Sequence, residues 1–247
     1  MTSATKNTKS AGKEQNRFVK SYLFAYNAAQ VVGWSYLLYQ LVNYYLLQDA
    51  GFRARTTLWD YTRMTVIIFQ NAAFIEVINA VLGLVKSNPV ITTFQVFSRM
   101  MVVVGVVMAT PTGKISPGLP IALFAWAVTE IIRYGYYALN IVNFVPHILV
   151  FLRYTTFIAL YPIGVTGELL CFWWAQSYAK QHTVWSVEMP NKWNATFSYF
   201  ALLWIAMLLY IPVFPQLYLH MVAQRKKILG GGKDGSSPAV NAAKKAT

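Results

Sequence analysis

Cysteine is almost absent from this chain, since Cys171 is the only one among 247 residues. A single thiol excludes an intrachain disulfide and any metal site built on paired cysteines. The loop of a cysteine-dependent phosphatase would carry an arginine where Ser177 stands, so that chemistry is excluded as well. No cluster of histidine, cysteine and aspartate indicates a metal. We therefore predict that Cys171 packs inside a helix bundle and that the protein uses no metal or cofactor.

Charged residues are also scarce. They make up 12% of the sequence, against about 25% in an average soluble domain. Hydrophobic residues make up 56% of the chain and the mean hydropathy is +0.41, so a soluble globule would lack the polar surface to cover them. A membrane-spanning helix needs roughly 20 apolar residues, and the chain supplies six such stretches, at 20–47, 58–84, 90–109, 118–139, 146–175 and 196–222. These stretches predict an all-α integral membrane protein with six transmembrane helices in one bundle.

Acidic residues number eight against 21 lysines and arginines, which gives a formal net charge of +13. The basic residues are concentrated at the two ends rather than along a nucleic-acid-binding surface. They are Lys6, Lys9, Lys13, Arg17, Lys20, Arg225, Lys226, Lys227, Lys233, Lys244 and Lys245. Positive charge beside membrane helices marks the cytoplasmic side, so both ends are expected in the cytosol, in agreement with an even number of spans. Arg53, Arg55, Lys180 and Lys192 would lie on the other side and follow the rule less well.

The polar ends of the sequence predict three segments. Residues 1–19 and 229–247 are expected to be mobile cytosolic tails, and residues 20–228 to form the membrane domain. The chain ends with Lys244 and Lys245 followed by two further residues, which resembles the dilysine retrieval signal of endoplasmic reticulum membrane proteins. We therefore expect a multi-pass protein of the endoplasmic reticulum membrane.

Three of the few carboxylates, Glu76, Glu130 and Glu168, fall within the predicted spans. A charge at the centre of a membrane helix costs about 2.5–3.5 kcal/mol on insertion scales, and a buried carboxylate needs a partner or a proton. Each of the three is therefore expected to face protein or a wet cavity rather than lipid.

Other polar residues share helix faces with these carboxylates. Helical positions three, four or seven apart lie on one face, so Glu130 and Arg133 are predicted to pair, with Tyr134 beside them. Arg99 and Asn79 lie within the neighbouring spans. Two interpretations stay open: these groups hold helices together through hydrogen bonds, or they line a cavity around a substrate.

In the fifth predicted span Tyr154, Tyr161 and Glu168 recur every seven residues, which places them on one helix face. Gly164 lies between the last two and leaves a notch without a side chain. Two turns separate Tyr161 from Glu168, or roughly 10 Å along the backbone. On the pattern alone, a tyrosine and a glutamate two turns apart are more often a structural pair than a catalytic one.

The stretch RYTTFIALYPIGVTGELL at 153–170 resembles the signature of the 3-hydroxyacyl-CoA dehydratases of very-long-chain fatty acid elongation, also called the protein tyrosine phosphatase-like family. Four further stretches resemble family blocks in the expected order, so the resemblance covers essentially residues 20–228. They are YNAAQVVGWSYLLY (26–39), IEVINAVLGLVKSNPVITTFQVFSR (75–99), WAVTEIIRYGYYALN (126–140) and YIPVFPQLYLHMVAQRKK (210–227). The Tyr-Pro-x-Gly-x-x-x-Glu element is the most specific of these features.

This resemblance implies six spans, cytosolic ends and a catalytic pair that falls on Tyr161 and Glu168. It implies a long-chain (3R)-3-hydroxyacyl-CoA as substrate, trans-2-enoyl-CoA as product, and contacts with membrane lipid. It also implies partners among the condensing enzyme, ketoacyl reductase and enoyl reductase of the elongation cycle, and no nucleic acid. One departure is that Asn79 stands where many members of the family carry histidine.

The implied reaction needs a base for the proton next to the thioester and an acid for the departing hydroxyl. A carboxylate shielded from water is a stronger base, so we expect Glu168 to take the proton and Tyr161 to donate one, with the opposite assignment also open. The acyl chain would occupy an apolar tunnel among the helices. Lys86, Arg133 and Arg153 are candidates to meet the phosphates of CoA. Further substrate-binding candidates on the same faces are Tyr154, Gly164, Tyr134, Glu130, Arg99 and Asn79.

Two functions of other classes compete with the enzyme. A transporter of a small solute would use buried glutamates and arginines as a polar path, but it favours paired half-helices or repeats, which the sequence does not show. A catalytically silent scaffold of the elongation machinery is the second alternative. Turnover of a long-chain 3-hydroxyacyl-CoA by the purified protein separates all three.

Overall fold

The chain is all-helical in a computed structural model that describes residues 17–85, 87, 89–187, 189, 192 and 196–229. Lys86, most of both predicted tails and the lysines at 244 and 245 lie outside the described residues. Within them no β-strand forms, although an isolated antiparallel bridge joins Val187 and Phe197. The described α-helices are α1 (Arg17–Val42), α2 (Ala50–Arg55), α3 (Leu58–Ala72), α4 (Phe74–Val81), α5 (Pro89–Val102), α6 (Pro111–Lys114), α7 (Gly118–Ile141), α8 (His147–Arg153), α9 (Phe157–Gln181) and α10 (Tyr199–Leu229).

Short polar side chains fix where several helices begin. Thr57 caps α3 by accepting a hydrogen bond from the Asp60 amide, and its hydroxyl donates to the Asp60 carboxylate at 2.7 Å. Asp49 caps α2, and Thr110 caps α6 in the same way. Such caps satisfy amide groups that have no partner in the first turn.

Four helical segments in the described part of the chain are long and apolar enough to cross a membrane. They are Leu58–Val81, which joins α3 and α4, Pro89–Met108, which extends α5 by a π-helical turn, α9 and α10. The other two predicted spans correspond to α1 and α7, which have 26 and 24 residues and are therefore about 36–39 Å long. Helix α1 is less apolar because it carries Asn27, Gln30 and Gln40, all of them buried inside the protein.

The fifth predicted span divides into two helices. Helix α8 ends at Arg153 and α9 begins at Phe157, so a turn over 154–156 replaces the single helix expected from 146 to 175. Pro146 precedes α8 in an extended conformation. Tyr154 therefore lies before α9, and the seven-residue spacing no longer places it on the face of Tyr161 and Glu168.

Helix α7 forms the centre of the bundle and packs mainly against α1 and α9. Its contact with α9 is a backbone approach at two glycines. A Cβ atom on Gly118 would lie 2.2 Å from the Gly167 carbonyl oxygen, and one on Gly167 would lie 2.5 Å from the Ala122 nitrogen. No side chain fits at either position, so the close approach fixes Glu168, the next residue, against α7.

Candidate active site

A cavity of about 450 Å³ lies among α1, α3–α5, α7, α9 and α10. This volume is within the roughly 300–1,000 Å³ of typical small-molecule sites. Its polar lining residues are Gln70, Glu76, Thr92, Gln95, Ser98, Arg99, Thr129, Glu130, Arg133, Tyr134, Tyr161, Glu168 and Tyr210. Much of the remaining wall is aliphatic or aromatic, so the cavity has a charged part and an apolar part.

The apolar part of the cavity opens sideways. Phe94 on α5 and Leu209 on α10 both line it, yet they are 67% and 56% exposed. Phe97 on α5 and Val213 on α10 also line the cavity and are also exposed. The gap between these two helices therefore connects the cavity with the exposed apolar surface of α5 and α10.

The Glu168 side chain is held at both carboxylate oxygens. Trp126 on α7 donates its indole N–H to Oε1 at 2.7 Å, and Tyr210 on α10 donates its hydroxyl to Oε2 at 2.6 Å. Glu168 is only 8% exposed, and what remains open faces the cavity. Each oxygen keeps a second lone pair for a proton or a donor from a ligand.

Tyr161 lines the same cavity one turn after the start of α9. Its ring packs edge-on against Phe157, with the ring centroids 5.8 Å apart. Its hydroxyl makes no hydrogen bond to any described residue, in contrast to the hydroxyl of Tyr210. A phenol and a carboxylate therefore face one cavity, and the phenol is available to a ligand.

Four charged residues form a network along the charged part of the cavity. Arg133 donates from Nε to Glu130 Oε2 at 2.8 Å and from Nη1 to Glu76 Oε1 at 2.5 Å. Arg99 pairs through Nη1 with Glu130 Oε1. The two arginines and the two glutamates balance in charge, which offsets part of the cost of burying them. The pair predicted at Glu130 and Arg133 is confirmed.

A tyrosine completes this network on its far side. Tyr134 donates to Glu76 Oε2 at 3.2 Å, and its ring lies under the Arg133 guanidinium, 4.4 Å from ring centroid to Cζ. Arginine is attracted to the face of an aromatic ring in this geometry. Arg133 thus has its charge satisfied by Glu76, Glu130 and Tyr134 together.

The structure brings most of the predicted site residues to the cavity wall. Those that line it are Tyr161, Glu168, Gly164, Arg133, Tyr134, Glu130 and Arg99. Gly164 lies beside Ala125 of α7, whose Cβ would be 3.4 Å from an added Cβ, so the expected notch is a packed helix contact that also borders the cavity.

Two predicted residues are not in the cavity lining. Tyr154 is buried beside Arg153, 5.7 Å from ring centroid to guanidinium carbon. Asn79 is buried and accepts a hydrogen bond from Tyr22 of α1 at 3.2 Å. Within the described residues, both therefore contact other helices rather than the space in front of Tyr161 and Glu168.

The arginine suggested for CoA phosphates, Arg153, stands among aromatic rings. It donates from Nη2 to Tyr137 at 3.2 Å, and its guanidinium lies over the rings of Tyr136 and Tyr137. Its Nε and Nη1 are buried. Arg133 is paired with glutamates, as described above, and Lys86 lies outside the described residues.

Sequence reasoning missed Tyr210 altogether and did not connect Trp126 with Glu168. Both contacts join residues 42 positions apart. Tyr210 opens one of the family-like stretches, which was the available signal. No group of three or more histidine, cysteine, aspartate or glutamate residues in the described ranges is placed to hold a metal ion.

Comparison with known families places this site in context. The family model described as protein tyrosine phosphatase-like protein, PTPLA, matches residues 70–231, which include all the cavity's charged side chains. This chain belongs to the protein tyrosine phosphatase-like family. The resemblance predicted from the sequence is thereby confirmed.

Curated relatives of this chain carry dehydratase names. A Caenorhabditis elegans protein named very-long-chain (3R)-3-hydroxyacyl-CoA dehydratase hpo-8 is 44% identical over 87% of this chain and 97% of its own length. Human very-long-chain (3R)-3-hydroxyacyl-CoA dehydratase 2 is 37% identical over 85% of this chain and 81% of its own. The rice dehydratase PASTICCINO 2A is 33% identical over 86% and 94%. No solved structure matches the chain.

The family name refers to phosphatases, but Cys171 is not placed to act as the nucleophile of a cysteine-dependent phosphatase. This thiol is fully buried at the contact between α9 and α7, and Cys171 is not part of the cavity lining. A nucleophilic thiolate needs an exposed, electropositive setting, so Cys171 is a packing residue of the protein tyrosine phosphatase-like fold, as predicted.

Proposed function

We propose that this chain is a hydro-lyase that converts a very-long-chain (3R)-3-hydroxyacyl-CoA to the trans-2-enoyl-CoA of fatty acid elongation. The names and the close similarity of its relatives support this reaction. The structural observation that supports it best is one cavity that holds a free phenol, an anchored carboxylate and an apolar wall open to lipid. A fatty thioester needs all three.

In the proposed reaction Glu168 removes a proton from C2 of the substrate. The C2–H electron pair becomes the C2=C3 double bond, the C3–O bond breaks, and Tyr161 donates its proton to the departing hydroxyl, so one water leaves. The proton then returns from Glu168 to Tyr161, through water in the cavity, to restore the starting state. General acid and base groups placed in this way typically contribute about 10²- to 10⁴-fold each.

Trp126 and Tyr210 act in this proposal as positioning residues. Their two donors fix the rotation of the Glu168 carboxylate, which would otherwise turn freely at the end of its side chain. Charge-assisted hydrogen bonds of this kind are the strong ones in proteins. The carboxylate is therefore held as an acceptor for the C2 proton rather than pairing with Arg99.

The acyl chain is proposed to leave the reacting carbons through the apolar part of the cavity. The expected tunnel is then a cleft between α5 and α10 whose open side is closed by membrane lipid. Phe97, Leu209 and Val213 would contact the chain. This arrangement explains why a dehydratase places its acid and base among membrane helices.

The remaining expectations complete the proposal. Six spans arise if α1 and α7, both long enough, cross the membrane beside the four more apolar segments. An even number of spans and the basic ends then place both termini in the cytosol, on either side of a membrane domain over 20–228. The protein would reside in the endoplasmic reticulum membrane and work beside the condensing enzyme, ketoacyl reductase and enoyl reductase.

A turnover assay in detergent tests this function. Purified wild-type protein should form trans-2-enoyl-CoA from a long-chain (3R)-3-hydroxyacyl-CoA, whereas Tyr161→Phe and Glu168→Gln should lose nearly all activity and keep the wild-type melting temperature. Tyr39→Phe and Asp60→Asn, at exposed positions outside the cavity, serve as matched controls and should remain active. An inactive wild type would refute the dehydratase, and full activity in both site variants would refute the assigned pair.

A further inference from the structure

The two arginines of the cavity differ in how many of their donors are used. Arg133 engages Nε, Nη1 and Nη2 with Glu130 and Glu76. Arg99 engages only Nη1, with Glu130, and its Nε and Nη2 have no hydrogen-bond partner among the described residues. These two nitrogens are not fully buried, in contrast to Nε and Nη1 of Arg153. The Arg99 side chain is 22% exposed and lines the cavity.

Arg99 also stands close to the proposed base. Its guanidinium carbon lies 5.5 Å from the centroid of the Trp126 ring, and the N–H of that same ring is bonded to Glu168 Oε1. The cation, the indole and the carboxylate thus follow one another along the cavity wall. Arg99 on α5 and Glu168 on α9 line the same cavity, so a ligand in that cavity can contact both side chains.

We propose that Arg99 is a further catalytic residue that donates hydrogen bonds to the thioester oxygen of the substrate. This inference rests on the proposed dehydratase function. It adds a cationic donor for the thioester oxygen, a role that neither Tyr161 nor Glu168 fills. The ligand group is a thioester carbonyl beside an acidic C–H bond. Arg133 does not compete for this role, because its donors are held by two glutamates.

The chemistry gives Arg99 a defined task. When Glu168 takes the C2 proton, the C2–H electron pair delocalises onto the thioester oxygen, so negative charge moves from the carboxylate to that oxygen. The charge returns to form the C2=C3 bond as the C3–O bond breaks and Tyr161 protonates the leaving hydroxyl. Donors aimed at a developing oxyanion lower the barrier because they need no rearrangement. Removal of one such donor typically costs about 10²- to 10³-fold in kcat.

A purely structural role for Arg99 predicts a different outcome, since the residue also neutralises Glu130. The kinetic test compares Arg99→Gln and Arg99→Lys with Arg63→Gln, an exposed arginine on α3 outside the cavity. We expect Arg99→Gln to lower kcat by about 10²- to 10³-fold with little change in KM. The melting temperature should fall as well, because the substitution removes one partner of the buried Glu130, so kcat is measured at a temperature where the variant is folded. Arg99→Lys keeps a cation beside Glu130 but lacks the planar pair of donors, so it should also lose at least tenfold, whereas Arg63→Gln should match wild type.

A vibrational readout separates contact with the carbonyl from support of the fold. Bound trans-2-enoyl-CoA, labelled with ¹³C at the carbonyl, is measured by infrared difference spectroscopy in a Glu168→Gln background that does not turn it over. We expect the C=O band to shift to lower wavenumber than in detergent alone, and the shift to disappear in the Glu168→Gln, Arg99→Gln double variant at saturating ligand. The Glu168→Gln, Arg99→Lys variant should show an intermediate shift.

The outcomes are distinct. An unchanged C=O band in the double variant, or an Arg99→Lys variant with full kcat, would overturn the role of Arg99 while leaving the dehydratase intact. If Arg99→Gln does not fold, the Arg99→Lys variant provides the test instead. A wild-type kcat and an unchanged C=O band in that variant would overturn the role of Arg99. Absence of enoyl product from the wild type would refute the proposed function itself.

Discussion

The hydrogen bond from Tyr210 to Glu168 offers a sharp test of how the carboxylate is positioned. The Tyr210→Phe substitution removes the hydroxyl that lies 2.6 Å from Glu168 Oε2. The phenylalanine ring can keep the edge-on contact with Phe172, whose centroid is 6.1 Å away. The change is therefore confined to one donor and leaves the packing of α10 against α9 in place.

The expected loss follows from the strength of that bond. A hydrogen bond to a charged group contributes about 1.5–3 kcal/mol, and each ~1.4 kcal/mol corresponds to a tenfold change in rate. If the whole contribution serves to hold the carboxylate for the C2 proton, kcat should fall by about 10- to 150-fold. Binding of the acyl chain does not involve this donor, so KM should change little.

Initial rates of trans-2-enoyl-CoA formation in detergent give kcat and KM, and a thermal unfolding curve checks the fold. Tyr36→Phe is the matched control, because Tyr36 is 52% exposed on α1, away from the cavity. Wild-type kcat in Tyr210→Phe would refute the positioning role. An equal loss in Tyr36→Phe would show that the assay reports general damage to tyrosines instead.

Three further predictions follow from the packing and charge of the cavity wall. Gly167→Leu should prevent α7 and α9 from packing together, because even a Cβ would lie 2.5 Å from the Ala122 nitrogen. Gly135→Ala is the control: nothing lies within 4 Å of the added atom, so the free energy of unfolding should rise by up to about 1 kcal/mol. The melting temperatures of the two variants test both expectations. Glu130→Gln leaves Arg99 and Arg133 with Glu76 as the remaining carboxylate of their network, and it should destabilise the protein by about 3–5 kcal/mol. Denaturant unfolding measures this loss, and an unchanged unfolding midpoint would contradict the network. Ala206→Trp, in the cavity wall, should lower kcat/KM more for longer acyl chains than for shorter ones, and equal losses at every length would place the tail elsewhere.

Local spacing predicted two placements of side chains correctly. Glu130 and Arg133 pair because residues three apart face each other on any helix. Tyr161 and Glu168 reach one cavity because they lie seven apart on the uninterrupted helix α9. In both cases the information is contained in one helix, which a pattern of residues can describe.

Tyr154 shows where such a pattern fails. It has the same seven-residue spacing, but α8 ends at Arg153 and a turn precedes α9. Continuation of a helix depends on what its flanking residues contact. Here the Arg153 guanidinium lies over the rings of Tyr136 and Tyr137 of α7 and over the ring of Tyr154. Spacing alone does not contain that information.

Contacts between distant helices were the other feature that spacing does not supply. Glu76 meets Arg133 across 57 positions, and Tyr210 meets Glu168 across 42. Asn79 lies one turn after Glu76 on α4, yet it faces Tyr22 of α1. Which neighbour a polar side chain finds depends on how the helices cross, and therefore on close approaches such as that at Gly118 and Gly167.

The most direct measurement is an electron cryomicroscopy structure of the Glu168→Gln variant with a long-chain (3R)-3-hydroxyacyl-CoA bound. We predict density for the acyl chain along the cleft between α5 and α10, with C2 beside the side chain of residue 168, the 3-hydroxyl at Tyr161 and the thioester oxygen near Arg99. Density that puts the thioester outside this cavity, or an acyl chain on another face of the bundle, would contradict the account.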